Sequence, residues 1–336
     1  MHFFITLFTS FSLLCITLYA QNKALPNHQL SKKLFDIYAD SYQEPQEDDV
    51  INHNLVQLGK KIFFDIRFSS DGKMACGTCH IPEKAFSDNH PKAIGNNGKA
   101  LQRRAMTLYH LSHDTQFFWD GRGKSLEAQF AEALKNPLEM DFSFERAINI
   151  MKYDKQYQTL FLHLNKNPTE AIITQAVVSY VKSIKPPKTQ FDAWVKGDLT
   201  ALTHQELKGF ELFNNKANCT ACHMGYQFKD NLMNDIGLAD NDLGLGAVTK
   251  NPNDFHMFKT PSLRGITYRA PYMHDGSLVT LKDVIDHYNA PIFKRGNTDI
   301  PIPEEQGDII AFHNFTQPLN LTDSEIEDLI AFLKIL

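Results

Sequence analysis

Two copies of Cys-x-x-Cys-His constrain this chain more than any other feature. They read Cys76-Gly-Thr-Cys79-His80 and Cys219-Thr-Ala-Cys222-His223. At this spacing two thiols add across the vinyl groups of a haem, and the next residue reaches the iron beneath the ring that the cysteines clamp. The competing readings are a structural zinc site or a redox dithiol. Zinc wants four ligands gathered from both pairs, whereas each pair here has its own stretch of chain. The fifth cysteine, Cys15, lies in an apolar leader. With that leader set aside, no cysteine remains for a structural disulfide.

The surroundings of the two motifs repeat as well. The first is followed by Phe86-Ser87-Asp88 and the second by Phe228-Lys229-Asp230. Further on, Trp119-Asp120-Gly121 precedes Leu126 by the interval that separates His274-Asp275-Gly276 from Leu281. Matched landmarks in one order indicate a duplicated domain. Pro186-Pro187 end the apolar periodic stretch from Ala171 to Ile184, and Thr203-His-Gln-Glu206 is a capping box that opens the next helix. Thr322-Asp-Ser-Glu325 opens the last helix, in which Ile326, Leu329, Ile330 and Leu333 form one apolar stripe. Strand-like alternation is scarce. The expectation is a mainly α protein of two tandem class I cytochrome c-like domains, each wrapped around one c-type haem. Residues 1–20 read as a signal peptide, 21–190 as the N-terminal domain and 191–336 as the C-terminal domain. The last helix is a candidate to pack back on the N-terminal domain.

The 336 residues suit two domains of ordinary size, and a hydrophobic content of 43% suits a globular core. A net charge of -5 with scattered basic residues gives no nucleic-acid-binding signature. The leader from Phe3 to Tyr19 is nearly all apolar and uncharged, short for a membrane span, and followed by the small residue Ala20. It predicts export to the periplasm, with an uncleaved membrane anchor as the alternative.

From about residue 50 onward the sequence resembles the bacterial di-haem cytochrome c peroxidases and their relative MauG. The resemblance is carried by Leu58-Gly59-Lys-Lys-Ile-Phe63-Phe64-Asp65, Phe117-Phe118-Trp119-Asp120-Gly121-Arg122 and Asn136-Pro137-Leu138-Glu139-Met140. It continues through Phe258-Lys259-Thr260-Pro261-Ser262-Leu263-Arg264 and Pro271-Tyr272-Met273-His274-Asp275-Gly276. It implies two covalent haems with His80 and His223 as proximal ligands, and a peroxide site at the N-terminal haem. Gln129 and Glu139 fall where the family places a glutamine and a glutamate over the open haem face. A carboxylate there can shuttle the peroxide proton, and an amide can orient the bound oxygen. Trp119 falls on the family's tryptophan between the haems. Without the resemblance, Gln129 and Glu139 read as surface residues and Trp119 as a core aromatic.

Three positions depart from the better-known peroxidases of the family. Where they block the resting haem with a distal histidine, this chain has Ile94-Gly95-Asn96-Asn97-Gly98. Asn96 is no substitute for an imidazole, which predicts an open ferric haem. His90 is the nearby alternative ligand. Where they supply a methionine to the second haem, fourteen residues after the His-Asp-Gly histidine, this chain has Tyr288. Leu281, Val284, Ile285 and Tyr288 share one helical face. Tyr288 is therefore the candidate ligand, as in MauG, against the readings of a core tyrosine, a five-coordinate haem or ligation by Met273. Where the family holds an interdomain calcium through an asparagine, this chain has Arg104. A guanidinium repels a cation, so calcium is not expected, and Arg104 itself is a candidate source of that charge.

The function implied is a periplasmic peroxidase that reduces hydrogen peroxide with electrons from a small donor protein, a cytochrome c or a cupredoxin. The alternative is a MauG-like enzyme that oxidises side chains of a partner protein. A third reading is an electron-transfer cytochrome without catalysis. A homodimer is compatible with each.

Overall fold

The computed structural model describes residues 27–45, 52–238, 241–290 and 318–336. The leader read as a signal peptide lies outside the described residues. Helices and long loops make up nearly all of the described structure. The sheet is one two-stranded antiparallel pair, Met233–Asn234 with Phe258–Lys259.

Two hydrophobic cores organise the chain. In the first, the helix His53–Phe63 packs lengthwise on the helix Glu170–Lys182. Gly59 makes this approach possible, because a Cβ on it would lie 1.9 Å from the carbonyl oxygen of Ala176. In the second core, the helix His204–Asn214 packs on the helix Asp323–Leu333. There a Cβ on Gly209 would lie 2.0 Å from the carbonyl oxygen of Asp328. Each glycine is followed four residues later by a buried phenylalanine, Phe63 and Phe213. The same crossing is thus built twice, and both capping boxes read from the sequence form at Thr203 and Thr322.

Two expectations about domain composition are corrected here. Among the described residues, the last helix buries Ile326, Leu329 and Phe332 against Phe210 and Phe213 in the core of its own half, not in the N-terminal core. The helix over residues 27–38 and the turn Ala39–Tyr42 lie within the range assigned to the N-terminal domain but belong to the second core. Leu34 and Tyr42 join Phe191, Trp194 and Phe210 in that core, and the Trp194 indole donates to the Ser31 hydroxyl at 2.9 Å. Apolar patterning identifies a buried helix face but not the core that buries it.

The loops that follow each core repeat in atomic detail. Phe117 bridges to Gly123, and Tyr272 to Leu278. At the second residue of each loop the backbone is left-handed, Phe118 at φ 64° and Met273 at φ 68°. The hydroxyl of Thr107 donates to the carbonyl of Ala85 at 2.6 Å, and that of Ser262 to the carbonyl of Gln227 at 2.7 Å. One constant spacing relates Arg104 to Lys259, Asp114 to Arg269, Phe117 to Tyr272, Trp119 to His274 and Leu126 to Leu281.

Candidate functional site

The duplicated loops enclose two cavities, one in each half. The N-terminal cavity, about 510 Å³, contains Cys76, Cys79 and His80 in its wall. The C-terminal cavity, about 170 Å³, contains Cys219, Cys222 and His223. The Nδ1 of His80 lies 2.9 Å from the carbonyl oxygen of Phe86, and that of His223 lies 2.8 Å from the carbonyl oxygen of Phe228. A carbonyl only accepts, so Nδ1 carries the proton in both rings and Nε2 keeps its lone pair. Burial pushes both imidazoles below their ordinary pKa and keeps them neutral.

The alternative chemistries for the cysteines lose their footing here. Among the described residues, no three His, Cys, Asp or Glu side chains gather as a metal site. The two pairs face separate cavities instead of converging on one zinc. Burial pushes all four thiols up to about 12, the opposite of the depressed value of a reactive dithiol. Two apolar cavities, each with two unpaired thiols and a neutral imidazole with a fixed tautomer, fit a thioether-linked haem.

Gln129 and Glu139 both line the N-terminal cavity. Gln129 sits on the helix Leu126–Lys135, whose N-terminus is capped by Ser125. The helix stops at Asn136, which then works twice. Its Oδ1 accepts from the Leu138 backbone at 3.0 Å, and its Nδ2 donates to Glu139 Oε1 at 2.8 Å. Burial raises the Glu139 carboxyl above the ordinary range, and the Asn136 bond and the charge of Arg122 offset this in part. Arg122 also lines the cavity, ion-paired to Asp120 and Glu132 with its guanidinium over the Phe118 ring. Sequence reasoning missed Asn136 and Arg122 as parts of the site. The Asn-Pro stop signal was visible, but not that its side chain would turn to the carboxylate.

Neither Asn96, at the position of the family's blocking histidine, nor the alternative ligand His90 lines this cavity. Asn96 is 1% exposed, donates to Ser70 Oγ at 2.5 Å, and is absent from the cavity wall. His90 is exposed and also absent from the wall. In the other half, Leu281, Val284, Ile285 and Tyr288 all line the C-terminal cavity from the helix Leu281–Asn289, as their helical phase predicts. Tyr288 packs against Cys222, and burial pushes its phenol well above the ordinary value. Met273 lines the same cavity.

Trp119, Arg104 and Lys259 line both cavities and form part of their common wall. The Trp119 ring meets that of His274 edge-on at 6.3 Å, and the His274 ring stacks on Phe258 at 3.6 Å. Backbone bonds cross the junction in a matched pair. Arg104 N donates to the carbonyl of His274 at 3.0 Å, and Lys259 N donates to the carbonyl of Trp119 at 2.8 Å. Arg103 adds a two-pronged ion pair to Asp242 and a third bond to Asp120. The residues do not fit a bound calcium, because the Arg104 guanidinium itself donates to the carbonyls of Asp88 and Arg269.

Known proteins confirm the reading at the level of family. The family model described as "Di-haem cytochrome c peroxidase" matches residues 53–200, and the model described as "Cytochrome c" matches residues 207–336. The methylamine utilization protein MauG of Methylophilus methylotrophus is 35% identical over 285 residues, covering 83% of this chain and 81% of that protein. A cytochrome c551 peroxidase of Nitrosomonas europaea is 32% identical over 243 residues, covering 70% of this chain and 72% of that protein. Among solved structures, a MauG-like protein associated with microbial copper homeostasis superposes with a TM-score of 0.75 at 27% identity, covering 88% of this chain and 93% of the other. The chain therefore belongs to the di-haem cytochrome c peroxidase and MauG family, and carries two covalently bound haem c groups.

Proposed function

We propose that this protein is a periplasmic peroxidase that reduces hydrogen peroxide with electrons from a small redox protein, a cytochrome c or a cupredoxin. Cys76 and Cys79, and Cys219 and Cys222, would hold the two haems, with His80 and His223 as the iron ligands. The observation that carries the reading is the pairing of Glu139 and Gln129 in the wall of the cavity that holds His80. A haem held there would supply the redox-active iron for peroxide chemistry. Glu139 takes a proton from one peroxide oxygen and returns it to the other, the transfer that makes water a leaving group. Asn136 holds Oε1 of Glu139 in place, and the Gln129 amide orients the substrate. Trp119, in the wall of both cavities, relays electrons from the second haem. An electron carrier without catalysis needs no such carboxylate and amide.

The second reading is a MauG-like oxidation of side chains on a partner protein. Tyr288 in the C-terminal cavity favours it, because as an anionic phenolate ligand it would stabilise oxidised states relative to a thioether. Stopped-flow mixing of the fully ferric protein with peroxide tests what both readings share. Wild-type reacts without prior reduction, because neither Asn96 nor His90 reaches the cavity. A ferric protein that stays inert until one electron is added overturns the open-site reading. Turnover with a donor protein then separates peroxidase from partner oxidation.

A further inference from the structure

The reaction above leaves unused the two charged side chains in the wall common to both cavities, Arg104 and Lys259. Arg104 is 6% exposed. One terminal nitrogen of its guanidinium donates to the carbonyl of Asp88 at 3.0 Å and to the carbonyl of Arg269 at 2.6 Å. The first carbonyl belongs to the N-terminal half and the second to the C-terminal half. The Arg104 backbone N–H repeats the link, on the carbonyl of His274, while the Arg104 carbonyl accepts from the Trp119 indole of its own half at 3.0 Å. Its buried Nε finds no hydrogen-bond partner among the described residues.

Two carbonyls from separate segments converging on one point are what a hard cation binds, since calcium takes carbonyl oxygens at about 2.3–2.6 Å. In this chain a guanidinium nitrogen holds that point. We propose that Arg104 is a built-in interdomain cation, replacing with a covalently held charge the calcium used by the family, so that this protein needs no divalent metal between its domains. A guanidinium keeps its proton throughout the physiological range and cannot dissociate from the fold. The other half of the junction already works this way. Lys259, at the position matching Arg104, reaches across to pair with Asp114, at the position matching Arg269. Lys229 completes that buried cluster at 2.5 Å from Asp114.

The test uses the haem-loaded protein and is independent of peroxide chemistry. Metal analysis is combined with chelation by EGTA and then re-addition of calcium, while the melting temperature, the haem absorption bands and both midpoint potentials are followed. Wild-type is expected to contain no stoichiometric calcium and to show no shift in any readout. Arg104→Asn places an amide oxygen beside the two carbonyls. Its melting temperature is expected to drop and to recover as about one calcium per chain binds. Arg104→Lys keeps the charge without the planar fork, and is expected to melt between the two and to ignore calcium. A wild-type protein with one tightly held calcium, whose removal shifts the melting temperature or a potential, overturns the proposal. So does an Arg104→Asn protein that melts like wild-type and ignores calcium. If Arg104→Asn does not fold, the wild-type measurements and Arg104→Lys decide.

Discussion

In the proposed reaction Glu139 is the carboxylate that transfers the proton, and its surroundings suit that role. Burial raises its pKa, while Asn136 fixes one oxygen. A base acts only when deprotonated, so the rate of the ferric protein with peroxide is expected to fall as pH drops through this raised value. The limb therefore lies above the ordinary carboxylate range. Glu139→Gln is expected to slow the reaction by ~10²–10⁴-fold, the usual contribution of a positioned acid-base group, and to abolish the limb. A pH profile of the stopped-flow rate for both proteins checks this. At the second haem, Tyr288→Phe is expected to raise the midpoint potential and to change the spectrum of that haem alone. Unchanged spectra and potentials would leave Tyr288 as packing. Much of this scale was legible in the sequence, because cysteine spacing and helical phase are local properties. Tyr288 faces its cavity for the reason Leu281, Val284 and Ile285 do. Asn136 and Arg122 were not legible, because their roles depend on side-chain directions set by a turn and by a stacking ring.

The helices follow local rules, and their pairing follows from two glycines. Gly59 and Gly209 stand where the partner backbone leaves no room for a methyl group. Alanine gains about 0.5–1 kcal/mol of helix propensity over glycine, but the clash must be relieved by moving a helix that carries part of the core. Gly59→Ala and Gly209→Ala are each expected to lower stability by ~1–3 kcal/mol, the usual cost of overpacking. Denaturant unfolding followed at each haem checks this, with the larger change in the half that carries the substitution. The glycine-then-phenylalanine spacing was in the sequence as a third echo of the duplication. It is short enough to pass unnoticed until the crossings show what it is for. The placement of the helix at 27–38 was not legible, since its apolar face fits either core until Trp194 and Ser31 meet.

At the scale of the molecule, one chain builds an isologous contact, in which matched residues of the two halves exchange matched bonds. The Arg103–Asp242 pair, both partners nearly buried, reinforces it. Burial raises the Asp242 carboxyl, but the hydrogen bonds from Arg103 outweigh that and hold it below its ordinary value. Removing one partner of such a pair costs ~3–5 kcal/mol. Asp242→Ala is expected near the lower end, because Asp120 still holds Arg103. Thermal unfolding reads that loss, and slower equilibration of electrons between the haems accompanies it. The stabilising contribution of the pair is present above the unfolded carboxylate pKa and is lost as pH falls through the depressed folded value.

The exchanged backbone bonds at Trp119 and His274 also bear on timing. Each half grips the loop that holds the aromatic ring of the other, so the junction cannot open without displacing Trp119 itself. With Trp119 as the proposed relay, the path for charge is set by covalent and hydrogen-bonded geometry and not by diffusive docking of one lobe on the other. Thickening the solvent with glycerol is therefore expected to slow encounter with an external donor protein in proportion to viscosity. The internal exchange between the two irons keeps its rate.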